Sequence, residues 1–357
     1  MDYLRAGIAW VRGLLRSDLY YVTEPSGWVV DAEARNICRA VATCSPLRPT
    51  VVTHAGNLRR QIVHFGYLYL FVNGGYEAVH RSNRVVVTFY HGDRSDPGFT
   101  RTIEIFLREI HRIDKVIVSC SIMRNRLLEW GVPEEKIVQI PIGVDLSIFR
   151  PPRAGERGAM RARLGIPEDR FVIGSFQKDG VGWEEGLEPK LIKGPDVFLD
   201  VVERISRELS ITVLLTGPAR GFVKRGLAQL GVPYRHVHLN TPEEVAPYYH
   251  ALDLYLITSR EEGGPKAVLE SMASEVPLVS TRVGMAADLI QNGENGFVCA
   301  IDGAAELECR IRQLLQDPAL RQNICSQAVS TVRDFAYQNI GRQHYECVYR
   351  AMLKLSK

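Results

Sequence analysis

Two runs of alternating strand and helix patterns, separated by a stretch of proline, glycine and charge, restrict this chain to one class of fold. In the first run, short apolar segments rich in β-branched residues predict strands at Leu19–Val22, Thr50–Thr53, Ile62–Phe65, Val85–Phe89, Lys115–Val118 and Ile137–Ile140. Helical spacing predicts helices at Asp31–Ala42, Thr102–Ile110 and Ile122–Trp130. After the stretch beginning Arg150-Pro151-Pro152, the alternation restarts. Strands are expected at Phe171–Ser175, Thr212–Leu215, His236–Leu239, Leu254–Thr258 and Leu278–Ser280, with helices at Asp196–Arg207, Glu243–His250, Lys266–Ala273 and Ala304–Gln316. Strands alternating with helices pair in parallel through right-handed crossovers, which gives doubly wound α/β sheets. The expected layout is an amphipathic N-terminal helix (1–16), two Rossmann-like domains (17–150 and 151–336) and a C-terminal helix (337–357). Two such domains on one hinge would face each other across a cleft at the carboxyl ends of their strands.

Composition narrows the chemistry. A length of 357 residues suits two domains, and a net charge of +3 gives no bulk argument for nucleic acid. The seven cysteines are scattered without a C-x-x-C pair. This fits a reducing, cytoplasmic setting and neither a disulfide frame nor a zinc site. No apolar run approaches the roughly 20 residues that span a bilayer. At the N-terminus, charges interrupt any signal-peptide core. Leu4, Ile8, Val11 and Leu15 line one helical face, and Arg5, Arg12 and Arg16 share another. That pattern fits packing on the chain's own sheet first, and peripheral contact with an anionic membrane face second.

One stretch concentrates the chemistry. A buried strand ends near Thr258, a polar loop runs through Glu262-Gly263-Gly264, and Pro265 is expected at the first helical position, ahead of Lys266–Ala273. Strand, glycine loop and helix start aim backbone N–H groups and the positive end of a helix dipole at one place, which favours anions. Glu262 and Glu270 flank it. By helical spacing, Glu270 lies off the apolar stripe of Val268, Leu269 and Met272.

The run from Glu262 to Glu270 resembles the E-x7-E motif of the retaining GT-B glycosyltransferases, family four (group 1) in particular. Its flanks resemble them too: Tyr248-Tyr249 to Asp253 before it, Val276-Pro277 to Gly284 after it, then Asn292-Gly293-Glu294-Asn295-Gly296-Phe297-Val298. Gly131-Val132-Pro133 and Ile142-Gly143-Val144-Asp145 agree in the first half. The likeness is strong from about Val116 to Phe335 and faint before residue 84. It implies a hexosyltransferase using a nucleoside-diphosphate sugar, such as a UDP- or GDP-sugar, with no cofactor and no metal. The acceptor would carry a hydroxyl on a glycan, lipid-linked or small molecule.

The resemblance also implies roles. Glu270 would hold the ribose diol, Glu262 the transferred sugar, and Gly263, Gly264, Pro265 and Lys266 the diphosphate. Lys193, just ahead of a helix, would balance charge on the leaving phosphate. Relatives carry an arginine after the glycine of the preceding strand, whereas this chain reads Gly174-Ser175-Phe176-Gln177-Lys178. Lys178 is therefore the expected second cation, with Lys190 as its alternate. The long loop between them, with Trp183, reads as a mobile cover. His91, after strand Val85–Phe89, is favoured over His54 and His64 as the group near the sugar; a packed core histidine is the plain reading of those two. Gly27 matches a glycine that lets backbone approach phosphate. Arg59-Arg60 and the Arg124/Arg126 pair read as solvated charges first, and as contacts for an anionic acceptor or lipid headgroups second. Three rival readings remain: a nucleotide-sugar epimerase or hydrolase of the same fold, which needs no acceptor; a non-catalytic nucleotide-sugar binding subunit, which turns nothing over; and a Rossmann oxidoreductase, which the missing G-x-G-x-x-G disfavours.

Overall fold

The structure, a computed structural model, describes residues 19–25 and 29–353. Residues 1–16 and Gly27 lie outside the described residues. Contacts divide the chain into two units. One takes residues up to Gly143 together with those from Tyr337 onward, and the other is Val144–Ala336.

Each unit is built on a six-stranded, all-parallel sheet. The first holds β1 (Leu19–Val22), β2 (Thr50–Val52), β3 (Ile62–Phe65), β4 (Arg84–Phe89), β5 (Lys115–Val118) and β6 (Ile137–Gln139), in the order β2-β1-β3-β4-β5-β6. The second holds β7 (Phe171–Phe176), β8 (Ile211–Thr216), β9 (Tyr234–Val237), β10 (Leu254–Ile257), β11 (Leu278–Thr281) and β12 (Phe297–Cys299), in the order β12-β11-β10-β7-β8-β9. Strands β3, β8, β10 and β11 are buried throughout. Parallel sheets covered on both faces require such continuous apolar runs. In the second unit the chain order reverses direction between β7 and β10, and that is where open α/β sheets open a ligand crevice.

Several elements depart from their predicted positions. Strand β9 lies two residues earlier than His236–Leu239. Helix Pro97–Arg108 starts five residues ahead of Thr102, because Asp96 caps it by accepting from Gly98 N at 2.8 Å and Pro97 fits the first turn. The segment Glu243–His250 is a 3-10 turn, Pro242–Val245, followed by a short helix, Ala246–Tyr249. Within the proline- and glycine-rich stretch a helix, Glu156–Leu164, begins behind Gly155 at φ +83°.

The segment after Tyr337 packs on the first unit. Its helix Tyr337–His344 lies against helix Val29–Cys44 so closely that a Cβ on Gly341 would stand 2.5 Å from the Ala40 Cβ. Tyr337 Oη donates to the buried Glu33 at 2.6 Å. Val348, Tyr349 and Met352 join Leu19, Tyr21, Ile37 and Val41 in one apolar core.

Against that core packs His64, fully buried, its ring 4.2 Å from that of Tyr21, with Nδ1 2.7 Å from Tyr349 Oη and Nε2 2.7 Å from Thr88 Oγ1. It is therefore a packed structural histidine, whereas His54 is exposed beside Thr53. Burial, and then the neighbouring His344, hold His64 well below the ordinary imidazole range. Burial pushes His344 down to about 3. An unfolded histidine takes up its proton near pH 6.5, and the folded chain refuses it until far lower pH. The stability from keeping His344 neutral is thus complete above about pH 6.5 and is lost as pH falls towards 3. At pH 5 the loss from His344 is on the order of 2 kcal/mol. Urea unfolding at pH 7.5 and pH 5 should show this drop, and a smaller one in His344→Phe; equal drops in both proteins would contradict it.

Candidate functional site

The expected donor residues gather at the carboxyl ends of β7 and β10. Strand β10 runs into Thr258 and Ser259, both fully buried, and the turn Leu191–Lys193 is strapped to that strand end. Arg260 N and Glu261 N donate to Ile192 O at 2.8 and 3.1 Å. Thr258 Oγ1 donates to Gly194 O at 2.8 Å. Gly194 sits at φ +59°, and a Cβ there would lie 1.9 Å from Thr258 O. Only glycine meets both demands. Arg260 completes the strap, forking onto Asp196 at 2.8 and 2.7 Å, donating to Leu191 O at 2.8 Å and reaching Asp302 at 2.6 Å.

This scaffold sets the position of Lys193. Its Nζ meets Glu262 Oε1 at 2.5 Å, across 69 residues of sequence. The two side chains are 20% and 11% exposed, so water screens the pair only in part. Ser259 Oγ donates to the same Glu262 oxygen at 3.0 Å. Gln177 Nε2 donates to Lys193 O at 3.2 Å, tying the end of β7 to the turn.

Behind Glu262 the loop is backed by helix Gly284–Leu289. Met285 N donates to Gly263 O at 3.1 Å, and a Cβ on Gly284 would stand 2.4 Å from that oxygen. Helix Lys266–Ala273 starts where the sequence predicts, with Pro265 as its N-cap residue rather than its first helical one. Val268 N donates back to Pro265 O at 3.0 Å, closing the first turn, and the positive end of the helix dipole faces the loop. One turn on, Glu270 accepts from Tyr249 Oη at 2.9 Å.

Lys178 lies beyond β7 with Nζ 3.6 Å from the centre of the Trp183 ring, and burial lowers its pKa. Lys190 is also lowered, by burial first and then by the charges of Lys193 and Lys178, with Glu262 opposing. Lys178, Lys190 and Lys193 therefore share one electrostatic neighbourhood. Both lysines read from the sequence for the second cation are present there.

The loop between Lys178 and Lys190 is not a free cover. Gly180 bridges to Pro189, Val181 N donates to Glu188 O at 2.9 Å, and Lys190 N donates to Asp179 O at 2.8 Å. Phe222 N donates to Gly186 O at 2.9 Å. At its base Asp179 and Arg220 form a fully buried ion pair at 2.9 Å. Arg220 also donates to Ser175 O at 2.6 Å and Thr216 O at 2.7 Å. Burial raises the Asp179 carboxyl and the guanidinium opposes that rise. What the sequence suggests as a mobile segment is an anchored hairpin; its exposed tip carries Trp183, 65% exposed.

His91 belongs to the other unit, directly after β4. Its Nε2 lies 3.3 Å from Tyr67 Oη, and Phe99 packs edge-on at 5.3 Å. Arg126 is not a solvated charge: it donates to Gly92 O at 2.7 Å and pairs with Asp93 at 3.4 Å, holding the His91 loop. Sequence reasoning missed Ser259, Gln177, Arg260 and Tyr249 as parts of the site. Gln177 and Tyr249 stand in quoted stretches, but their spacing gives no hint that the one reaches Lys193 O and the other Glu270. Among the described residues, no group of three or more His, Cys, Asp or Glu could hold a metal ion, and no helix is long and apolar enough to cross a membrane.

Comparison with known proteins adds to this geometry. Residues 186–317 match the model described as "Glycosyl transferases group 1", and residues 34–148 match "Glycosyltransferase Family 4". An N-acetyl-alpha-D-glucosaminyl L-malate synthase of Bacillus anthracis is 30% identical over 283 residues, covering 76% of this chain and 69% of that protein. The lipopolysaccharide core biosynthesis mannosyltransferase LpcC of Rhizobium leguminosarum bv. viciae is 31% identical over 219 residues, 59% of this chain and 57% of that one. Against the first curated relatives the chain spans only 50–57% of their length. Among solved structures, sucrose-phosphate synthase from Thermosynechococcus elongatus superposes with TM-score 0.77 at 17% identity, over 95% of this chain and 100% of that one. Anabaena HepE in complex with UDP-glucose gives 0.74 at 16% identity, over 94% and 100%. At such identities these two structures speak for the fold alone, and it is the GT-B fold. By fold, family models and relatives together, the chain belongs to the GT-B glycosyltransferases of family four, group 1.

Proposed function

We propose that this chain moves a hexose from a nucleoside-diphosphate sugar to an acceptor hydroxyl, with retention of configuration and without a metal ion. The observation that carries the reading is the Lys193–Glu262 pair at the β7/β10 switch point, with Glu270 one turn into the helix that follows. A diphosphate suits the three lysines and the helix start, a ribose diol suits a carboxylate that accepts from two hydroxyls, and the sugar hydroxyls suit Glu262. His91 would serve the reacting sugar from its own unit. The lysine cations and the helix dipole supply at the phosphates what a divalent ion supplies elsewhere. Retention would follow from front-face attack, the departing phosphate oxygen taking the acceptor's proton. That route calls for no protein nucleophile.

The names of relatives support a hexose: LpcC is a mannosyltransferase, and the Bacillus anthracis protein is named for N-acetylglucosamine. HepE is described with UDP and with UDP-glucose, which supports uridine as a first nucleotide to try. A cytoplasmic setting belongs to the same reading. Glu270→Ala should weaken donor binding by about 2–3 kcal/mol, roughly 30–150-fold, for two lost hydrogen bonds to a carboxylate. Titration calorimetry with the nucleoside-diphosphate sugar measures this directly, and an unchanged Kd would remove the ribose role.

A further inference from the structure

Glu270 is not oriented by its own helix alone. Tyr249, fully buried, lies in a cage of three rings: Phe176 edge-on at 4.9 Å, Phe149 edge-on at 6.0 Å and Tyr255 at 5.3 Å. Tyr255 is itself fixed, because its hydroxyl accepts from Phe176 N at 2.8 Å. Phe176 ends β7 and Tyr255 lies on β10, so the cage spans the switch point between those two strands. A ring packed this way has one orientation, and it places Oη 2.9 Å from Glu270 Oε2. Burial first, and then the Glu270 carboxylate, push the phenol well above its ordinary range, so it is a hydrogen-bond donor at any working pH.

A glutamate on a helix face otherwise samples several rotamers, and ordering it costs entropy when a ligand binds. A donor fixed on one oxygen removes that freedom beforehand. A carboxylate has about four acceptor positions, and Tyr249 uses one of them.

We propose that Tyr249 is a positioning residue for nucleotide recognition. It presets the Glu270 carboxylate to accept from both hydroxyls of a vicinal diol, and so sets a preference for ribo- over dideoxyribonucleotides. The proposal rests on the reading of Glu270 as the ribose carboxylate. Preorganisation of this kind raises affinity by lowering the cost of ordering rather than by adding a contact.

The test is calorimetric titration of UDP and 2′,3′-dideoxy-UDP, with GDP and 2′,3′-dideoxy-GDP in parallel, into the wild-type chain, Tyr249→Phe, Glu270→Ala and the double variant. Wild type should prefer the ribo form. Tyr249→Phe should lose most of that preference, roughly tenfold, through weaker binding of the ribo form alone. The dideoxy Kd should stay put, which a merely structural role would not allow. With Glu270 already alanine, adding Tyr249→Phe should change nothing, because the tyrosine acts only through that carboxylate.

A wild-type ratio in Tyr249→Phe overturns the proposal while leaving the ribose reading intact, and equal weakening of both forms overturns it as well. A wild-type chain with no ribo preference overturns the reading of Glu270 itself. Should the single Tyr249 variant fail to fold, Glu270→Ala and the double variant still decide, since removing both partners leaves no orphaned carboxylate. Equal affinities then support the proposal, and a further loss in the double variant contradicts it.

Discussion

Lys193→Ala should lower turnover by about 10²–10³-fold while leaving donor Kd far less affected. The asymmetry follows from where the charge is. Before reaction the diphosphate's charge is spread over several oxygens and can be met by Lys178, Lys190 and the helix start. As the bond to the sugar breaks, charge grows on the departing phosphate, and a cation held rigidly nearby lowers that barrier most. Lys193 has the rigidity: Gly194 at φ +59°, the Ile192 strap and the Arg260 fork fix its backbone before any ligand arrives. Lys178 rests instead on the exposed Trp183 ring. Steady-state kinetics with the kcat and KM effects separated provides the check. A rise in KM at unchanged kcat would assign Lys193 to ground-state binding.

Glu262→Ala should abolish detectable transfer, with the melting temperature within a few degrees of wild type. The carboxylate is 11% exposed and is held by both Lys193 and Ser259. It can receive sugar hydroxyls without moving, which is how positioning lowers a barrier. Removing it leaves Lys193 without that partner, a cost that the 20% exposure of its side chain keeps to a few degrees. Because the two residues touch, their effects should not add. The Lys193→Ala, Glu262→Ala double variant should be no slower than the worse single variant by more than a few-fold. Fully additive losses would mean that the pair in this structure is not the working unit.

Much of the fold was legible because parallel sheets need buried apolar runs. Ile62–Phe65 and Lys115–Val118 stand where those runs predict, and Lys266–Ala273 starts and ends as its spacing indicates. The misses have local causes. Strand β9 is an edge strand paired only with β8, so half its hydrogen-bonding register is unconstrained by burial, and it slipped two residues. Helix Gly221–Gln229 carries two glycines, which weaken a helical pattern, and no helix was predicted there. Helix Glu156–Leu164 was masked by proline and glycine ahead of it.

The site was legible as a set of residues and not as an arrangement. Glu262 and Glu270 announce themselves by spacing and flanks. That Lys193 reaches Glu262, 69 residues away, depends on strand order and on one left-handed glycine, neither of which spacing reveals. That Tyr249 holds Glu270 depends on a cage assembled from two strands and a short helix. The hairpin at 179–190 read as mobile because its glycines suggest freedom, whereas two of them, Gly180 and Gly186, are packed against the Ala219 backbone.

The most direct measurement of the central claim is a thermal-shift titration of the wild-type chain with UDP- and GDP-sugars, repeated on Glu270→Ala. A donor at 100 times its Kd adds about 2.7 kcal/mol, roughly 5–10 °C for a unit of this size. The account predicts such a rise for at least one nucleoside-diphosphate sugar, and the loss of most of it at the same concentration in the variant. No rise with any of them, or the same rise in both proteins, would contradict a donor site built on the Glu262–Glu270 stretch.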